Sequence, residues 1–193
     1  GDMTYTGHTF KGWYDNENLT GDPVTAIGGT EMGNKEYWAK WEANTYTVTL
    51  NTNGGTINSG NVAGYTYGVG ATLPTADDMD YTGHTFKGWY EDSSFSGNSV
   101  TAISATDTGD KTYHAKWEAN SYNVTLNANG GTINNGNVTS YTYGTGATLP
   151  TAGDMTYTGH TFKGWYDNEN LTGDPVTAIG GTEMGNKEYW AKW

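Results

Sequence analysis

The segment YTGHTFKGWY occurs three times in this chain, at Tyr5–Tyr14, Tyr81–Tyr90 and Tyr157–Tyr166. Successive copies start 76 residues apart, from position 5 to 81 and from 81 to 157. The motif AKW keeps the same spacing and ends at Trp41, Trp117 and Trp193. A fixed period of this length indicates a tandem-repeat architecture.

The period defines the predicted domains. Residues 46–117 and 122–193 are full repeats, and residues 1–41 match the C-terminal half of a third repeat. The segments 42–45 and 118–121 are predicted linkers. Because the half repeat lacks the front strands of a full one, we do not expect it to fold alone. We expect it to be completed by another chain or by the earlier part of a longer array.

Composition limits the classes of protein that this chain resembles. The formal net charge is −12 without a cluster of Lys or Arg, which argues against nucleic acids and anionic membranes as partners. No apolar run has the length of a membrane span. The chain contains no Cys, so its small repeats must rely on aromatic residues, which include 8 Trp and 15 Tyr. No cofactor is predicted.

The front half of a repeat is predicted to contain two strands and a short helix. In YTVTLN (46–51) apolar residues alternate with threonines, which is typical of a half-buried strand. A turn-rich segment follows, and VAGYTYG (62–68) is the second strand. Thr75 and Asp78 have the spacing of a capping box, which predicts a short helix that directs Met79 into the core.

The back half is predicted to supply two more strands. Strict alternation in GHTFKGWY (83–90) would place Phe86 and Trp89 on opposite faces of the sheet. Gly88 between them predicts a β-bulge that turns both aromatic side chains inward. The alternating segment KTYHAKW (111–117) is the last strand.

The element order predicts the fold class. A succession of strand, strand, short helix, strand and strand indicates a strand-dominated α+β fold with one short helix per repeat. A β-grasp, or ubiquitin-like, arrangement is one option among the small α+β folds. In that arrangement the first and last strands lie parallel and adjacent at the centre of the sheet.

Several elements together resemble a known family. VTLNxNGG, YTYG, LPTA, GHTFKGWY and the closing AKW are similar to the Listeria–Bacteroides repeat, the family of the internalin B-repeats. The resemblance covers both full repeats and the half repeat. It implies tandem β-grasp domains in extracellular, often cell-wall-attached bacterial proteins. Some members are basic and bind polyanions, and the acidity of this chain departs from them.

The repeated motifs are predicted to form one core per repeat rather than an active site. The core residues are Val48, Leu50, Phe86, Gly88, Trp89, Tyr113 and Trp117 in the second repeat and Val124, Leu126, Phe162, Gly164, Trp165, Tyr189 and Trp193 in the third. His8, His84 and His160 have no nucleophile or carboxylate within their motif, so we predict no catalytic or metal site. LPTAG (149–153) resembles a sortase signal, but it is internal and is predicted to be a turn.

These observations predict a non-enzymatic stalk or spacer of a bacterial cell-surface or secreted adhesin-like protein. Its expected partners are neighbouring repeats or copies of itself. The alternative is a binding module that recognises a glycan or a host protein through exposed aromatic residues. Trp38 and Trp190 are the candidates for ligand stacking, because the second repeat has His114 in their place, an exchange that a packed core would not tolerate.

Overall fold

The computed structural model describes residues 3–193 and is dominated by short strands. The half repeat contains β1 (His8–Tyr14) and β2 (Trp38–Ala43). The second repeat contains β3 (Thr45–Asn51), β4 (Thr56–Ile57), β5 (Gly64–Thr66), β6 (Ala71–Thr72), β7 (Met79–Asp80), β8 (His84–Tyr90), β9 (Ala102–Ile103) and β10 (Lys111–Ala119). The third contains β11 (Ser121–Asn127), β12 (Thr132–Ile133), β13 (Ser140–Thr142), β14 (Ala147–Thr148), β15 (Met155–Thr156), β16 (Gly164–Tyr166), β17 (Ala178–Ile179) and β18 (Lys187–Lys192).

A four-stranded sheet organises each full repeat. Its strand order is β5-β3-β10-β8 in the second repeat and β13-β11-β18-β16 in the third. The first and last long strands are parallel neighbours at the centre, with Tyr113 opposite Leu50 and Tyr189 opposite Leu126. The parallel central pair is therefore present, as expected from the sequence.

The predicted α+β, β-grasp fold with one short helix per repeat is wrong. About 3% of the residues are helical and no α-helix is present within residues 3–193. The helical segments are two single 3-10 turns, Ala76–Asp78 and Ala152–Asp154. Each repeat is therefore a strand-dominated structure with curled sheets, and no helix packs across the sheet.

The helix stops after one turn because the chain immediately enters a strand. The capping box does form, since the Asp78 carboxylate accepts hydrogen bonds from the Thr75 N–H and Oγ1, both at 2.8 Å. Met79 then adopts an extended conformation, with φ −115° and ψ 139°. The Asn58 N–H donates to the Asp78 carbonyl at 2.7 Å, in line with the β4–β7 pairing. A capping box marks where a helix begins, but this segment has no apolar stripe to extend one.

Short two-stranded ladders and apolar loop residues, instead of the predicted helix, cover the core of each full repeat. In the third repeat the ladders β12–β15 and β14–β17 bring Met155 and Ile179 to the buried cluster. Trp165 lies in this cluster and is 1% exposed. The Trp165 Nε1 donates a hydrogen bond to the Pro150 carbonyl at 2.8 Å. Trp89 makes the same bond to Pro74 at 2.9 Å in the second repeat. The LPTA motif therefore holds the core tryptophan.

The bulge predicted from the decamer sequence is confirmed in the half repeat, where Gly12 is the equivalent of Gly88. In the half repeat Phe10 lies opposite Trp41, and the register shifts before Gly12. Gly12 has φ 132°, a region that favours glycine, and a Cβ there would lie 2.6 Å from the Pro23 side chain. The rings of Phe10 and Trp13 lie 5.7 Å apart, so the bulge brings both aromatic residues to one face.

The chain divides into two compact units that do not coincide with the repeats. One unit comprises Gly1–Met79 and Lys87–Lys116, and the other comprises Asp80–Phe86 and Trp117–Trp193. The start of the second decamer thus belongs with the third repeat.

Candidate functional site: the junction between successive repeats

At the first junction the decamer of one repeat receives a tyrosine from the next. Gly7 has φ 70°, and a Cβ built there would lie 2.2 Å from Cγ of Tyr67. The His8 ring meets the Tyr67 ring edge-on, with centroids 5.3 Å apart. The face of the tyrosine therefore lies against the bare Cα of Gly7, a contact that no other residue type allows without displacement.

The second junction repeats this geometry. A Cβ at Gly83, which has φ 70°, would lie 2.3 Å from Cγ of Tyr143. The rings of His84 and Tyr143 meet edge-on at 5.6 Å. Each junction lies inside one compact unit, so the contact is part of the packing of that unit.

A single asparagine fastens each junction through three hydrogen bonds. The Asn44 N–H donates to the Gly7 carbonyl at 2.8 Å, the Asn44 carbonyl accepts from the Tyr67 N–H at 2.9 Å, and its Oδ1 accepts from Thr9 Oγ1 at 2.6 Å. Asn120 makes the equivalent bonds at 2.8, 2.9 and 2.6 Å. The predicted linkers 42–45 and 118–121 thus lie in strands, apart from these asparagines.

The decamer histidine is one ring in an aromatic stack. His84 Nδ1 lies 2.9 Å from the Thr82 carbonyl, which means that Nδ1 carries the proton and donates it. Its ring stacks on Tyr81 at 4.1 Å, and Tyr81 meets Trp117 edge-on at 5.4 Å. The histidine therefore connects the terminal tryptophan of its own repeat to the tyrosine of the next.

The third decamer forms the same stack of tyrosine, histidine and tryptophan rings, which we call the junction platform. No tyrosine ring lies against its Gly159. Tyr157 stacks on His160 at 4.1 Å and meets Trp193 edge-on at 5.4 Å. Gly159 keeps φ 75°, and a Cβ there would have no heavy atom within 4 Å. The platform is therefore preformed by its own repeat and does not require the incoming tyrosine.

Six of the fourteen predicted core residues are buried, and the other eight are half-buried. Val48, Trp89, Tyr113, Val124, Trp165 and Tyr189 are buried. The others are half-buried: Leu50, Phe86, Gly88, Trp117, Leu126, Phe162, Gly164 and Trp193. Phe162 packs against Trp193, with ring centroids 5.4 Å apart, at the border between the core and the junction platform.

Trp38 and Trp190, the predicted ligand-stacking residues, are half-buried rather than fully exposed. Each lines a groove of about 460 Å³ within its own repeat. Carboxylates share the groove of Trp190, among them Asp167 and Glu188. Glu188 is already engaged, because its Oε1 accepts a hydrogen bond from Asn127 Nδ2 at 2.8 Å.

The acidic loop at residues 167–174, whose Asp167 lines this groove, is held together by its own hydrogen bonds. In the third repeat Asn168 Oδ1 accepts hydrogen bonds from the Thr172 N–H at 3.2 Å and from Thr172 Oγ1 at 3.1 Å. Within residues 3–193, no three His, Asp or Glu side chains lie close enough together to hold a metal ion. The oxygen atoms of the loop thus act as turn-forming acceptors.

The second repeat has Asp92 at the position equivalent to Asn168, and the pKa of this carboxyl is lowered. Hydrogen bonds from Ser94 and Ser96 lower the pKa of the Asp92 carboxyl to about 2. A depressed pKa means that these bonds stabilise the loop above the ordinary pKa of Asp and are lost as the pH falls through about 2. We expect a carboxyl ¹³C titration midpoint near that value. The Thr172 amide, held by Asn168, should not follow the same transition, and an Asp92 midpoint near 4 would contradict the geometry.

Sequence reasoning missed Tyr67, Tyr143, Asn44 and Asn120. The signals were present, because YTYG recurs in both full repeats and EAN recurs in both predicted linkers. Their partners, however, lie in the preceding repeat. A search within one repeat could not have paired them.

A family model of the Listeria-Bacteroides repeat domain matches residues 1–40, 46–116 and 122–192. Two relatives come from Evansella cellulosilytica and bear provisional names that describe a Gly-rich membrane protein and a membrane protein. They are 37% and 36% identical to this chain over 97% and 84% of its length. The chain spans only 20% and 23% of the length of these relatives. No solved structure matches it.

No helix with the length and apolar character of a membrane span occurs in the described part of the chain.

Proposed function

Because this chain belongs to the Listeria-Bacteroides repeat family, we propose that it is a non-enzymatic spacer of a bacterial cell-surface or secreted protein, built from repeats that dock directly onto one another. The observation that carries this proposal is the reuse of one contact. Gly7 and Gly83 each receive the tyrosine of the following repeat, and Asn44 and Asn120 each close the joint. Residues that are identical at the two junctions are thereby used for connection.

The spacer role accounts for features that a catalytic role leaves unexplained. The junction histidines contact rings and a backbone carbonyl. One asparagine separates the last strand of one repeat from the first strand of the next. A joint with so little free chain restricts the motion of neighbouring repeats, which suits a segment that holds another domain away from a surface. The membrane-protein names of the relatives are compatible with such a location.

An in-register deletion tests the spacer role. Removing residues 46–121 takes out one 76-residue period and joins the half repeat to the third repeat, with Tyr143 in the place of Tyr67. On cells that display the chain below an N-terminal tag, we expect the shorter protein to fold and the tag to lose accessibility to an antibody. Accessibility to a small-molecule label should stay the same. An unchanged antibody signal would argue against a spacer.

The grooves at Trp38 and Trp190 support a second candidate, a glycan-binding module. A half-buried indole beside carboxylates can stack on a sugar ring while the carboxylates accept hydrogen bonds from its hydroxyl groups. A pure spacer should show no saturable signal on a glycan array. If a signal appears, the variant Trp190→His, which copies the second repeat, should reduce it, and Trp38→His should reduce it in the same way.

A further inference from the structure

The first and last long strands of each full repeat are bonded directly to each other. In the third repeat, residues 124–127 of β11 pair in parallel with residues 187–190 of β18. In the second repeat, residues 48–51 of β3 pair in the same way with residues 111–114 of β10. The remaining strands of each repeat lie between these two strands in the chain. Tension applied to the two ends of a repeat therefore acts on one strand pair, and the strands between are loaded only after that pair separates.

The direction of the two strands decides how tension acts on the pair. In a parallel pair both strands start at the same end of the sheet, but the chain enters the repeat at the start of β11 and leaves it at the end of β18. The two points of pulling therefore lie at opposite ends of the pair, and tension slides one strand along the other. Because the hydrogen bonds of a parallel pair are evenly spaced, sliding loads them together rather than one after another.

Hydrogen bonds beyond the ladder join the same two strands at both ends of the pair. At the start of the pair in the third repeat, the Asn123 N–H donates to Asn186 Oδ1 at 3.0 Å. At the far end, Asn129 Nδ2 donates to the Ala191 carbonyl at 2.8 Å. Each bond links residues that are more than sixty positions apart in the chain, so each must break before the two strands can slide apart.

The second repeat keeps these bonds although its sequence differs. The Thr47 N–H donates to Asp110 Oδ1 at 2.8 Å, and Asn53 Nδ2 donates to the Ala115 carbonyl at 2.8 Å. Asp110 occupies the position of Asn186, and both side chains offer an oxygen atom to the backbone of the first strand. The reinforcement of the pair is therefore a shared feature of the two full repeats.

The core shields one face of the pair from water. Val124, Tyr189 and Ala191 are buried in the third repeat. Trp193 Nε1 donates to the Ala128 carbonyl at 2.8 Å and adds another bond between the two ends of the repeat. Hydrogen bonds in a shielded environment are stronger than bonds in water, so the buried face strengthens the pair against sliding.

Consecutive repeats pass tension directly from one strand pair to the next. The last strand of the second repeat, β10, ends at Ala119, and the first strand of the third repeat, β11, begins at Ser121. Asn120 is the one residue between them, and it is itself bonded to Gly83 and Tyr143. Tension that leaves β10 therefore enters β11 without a length of free chain to extend first.

We propose that the parallel pair of first and last strands is a mechanical clamp that resists unfolding when tension pulls along the array. The clamp would keep the length of the repeats constant under load. This proposal rests on the spacer role, because a segment held at both ends is the one that experiences such tension. The strength of the clamp, however, is a property of a single repeat, and it can be measured whether or not the segment is a spacer.

Two pulling geometries on the third repeat of the full chain test the clamp by single-molecule force spectroscopy. The chain contains no Cys, so introduced cysteines are unique attachment points. Asn123→Cys with a cysteine appended after Trp193 pulls the pair along its strands. Asn123→Cys with Met184→Cys pulls both strands from the same end, because Met184 lies shortly before β18 and is 51% exposed. Residues 1–122 lie outside the path of the force in both cases.

Pulling along the strands should require a much higher force than pulling from one end. At equal loading rate we expect a difference of more than about twofold, because forced unfolding is governed by the unfolding rate, and therefore by its barrier, rather than by the equilibrium stability. Rupture should release up to about 250 Å of chain between positions 123 and 193 and up to about 220 Å between positions 123 and 184. These lengths identify the third repeat as the part that unfolded.

Matched variants separate the clamp from general stability. Asn129→Gly removes the side-chain bond to the Ala191 carbonyl and suits the backbone, since Asn129 has φ 48°. It should lower the force along the strands and leave the force from one end unchanged, because this bond lies at the far end of the pair. Thr151→Ala removes a hydrogen bond of 2.7 Å to Asp154 within the 3-10 turn and should leave both forces unchanged.

Two results would overturn the clamp. One is an equal rupture force in the two pulling geometries. The other is an equal reduction of the force along the strands by Asn129→Gly and Thr151→Ala, because the force would then follow overall stability. Either result would leave the spacer role standing, since antibody access after the 76-residue deletion tests that role separately.

Discussion

Trp89→Ala is expected to unfold the second repeat. Trp89 is 1% exposed, and its Nε1 donates to the Pro74 carbonyl at 2.9 Å. Removing a large buried aromatic side chain costs about 3–5 kcal/mol. Small domains have a total stability of about 5–15 kcal/mol, and a repeat of this size belongs at the lower end. Urea unfolding followed by circular dichroism, with hydrogen exchange to locate the loss, should show the second repeat unfolding first.

Trp190→His is the matched control for this prediction. The second repeat already carries His114 at the equivalent position, and Trp190 is half-buried on the groove side of its strand. We therefore expect a loss of about 1 kcal/mol or less, as for most surface substitutions. Equal losses of stability in the two variants would show that the core has been assigned to the wrong face of the sheet.

Gly83→Ala is expected to break the second junction. The new Cβ would lie 2.3 Å from Cγ of the Tyr143 ring, so the ring must move away from residue 83. Overpacking of this kind costs about 1–3 kcal/mol. A positive φ adds about 1–2 kcal/mol for any residue with a Cβ. Urea unfolding should show the summed loss, and the aromatic NMR signals of Tyr143 should move toward those of a solvent-exposed tyrosine.

Gly159→Ala measures the backbone cost of that substitution without the steric clash. Gly159 lies in an identical decamer and has a φ of 75°, close to the 70° of Gly83, but a Cβ there would have no heavy atom within 4 Å. It should therefore show only the backbone cost, which makes it about 1–3 kcal/mol less destabilising than Gly83→Ala. Equal losses of stability in Gly83→Ala and Gly159→Ala would mean that the Tyr143 ring does not lie against Gly83.

A double-mutant cycle gives a second test of the junction. In a chain that carries Tyr143→Ser, the ring that meets the new methyl group is absent, so Gly83→Ala should cost no more than Gly159→Ala. A coupling free energy of about 0.5–3 kcal/mol is typical of residues in direct contact. Strict additivity of Gly83→Ala and Tyr143→Ser would contradict a direct contact between the two residues.

Local patterns in the sequence predicted much of each repeat. The alternation around Val48 and Tyr113 identified the two central strands, and their parallel pairing is present. Gly88 with its neighbours Phe86 and Trp89 predicted a bulge, because two aromatic residues three apart can share a strand face only if a residue is inserted. These features depend on residues that are close together in the chain, so they can be predicted from the sequence alone.

The sequence also determined the period, and the period matches the family to which the chain belongs. It did not determine the length of the helical segment. Thr75 and Asp78 form the predicted capping box, but the hydrogen bond from Asn58 to the Asp78 carbonyl and the extended Met79 convert the next residues into a strand. A local start signal was overridden by a partner about twenty positions earlier in the chain.

Only the tertiary structure decided the role of the decamer. Its sequence predicted a core motif, and Trp89 does occupy the core. Gly83 and His84, however, serve the next repeat, since Tyr143 lies on that glycine and against that histidine ring. The two partners are sixty residues apart and belong to different periods. Such a contact depends on where the sheet of one repeat ends and the hairpin of the next begins, and that placement exists only once both repeats have folded.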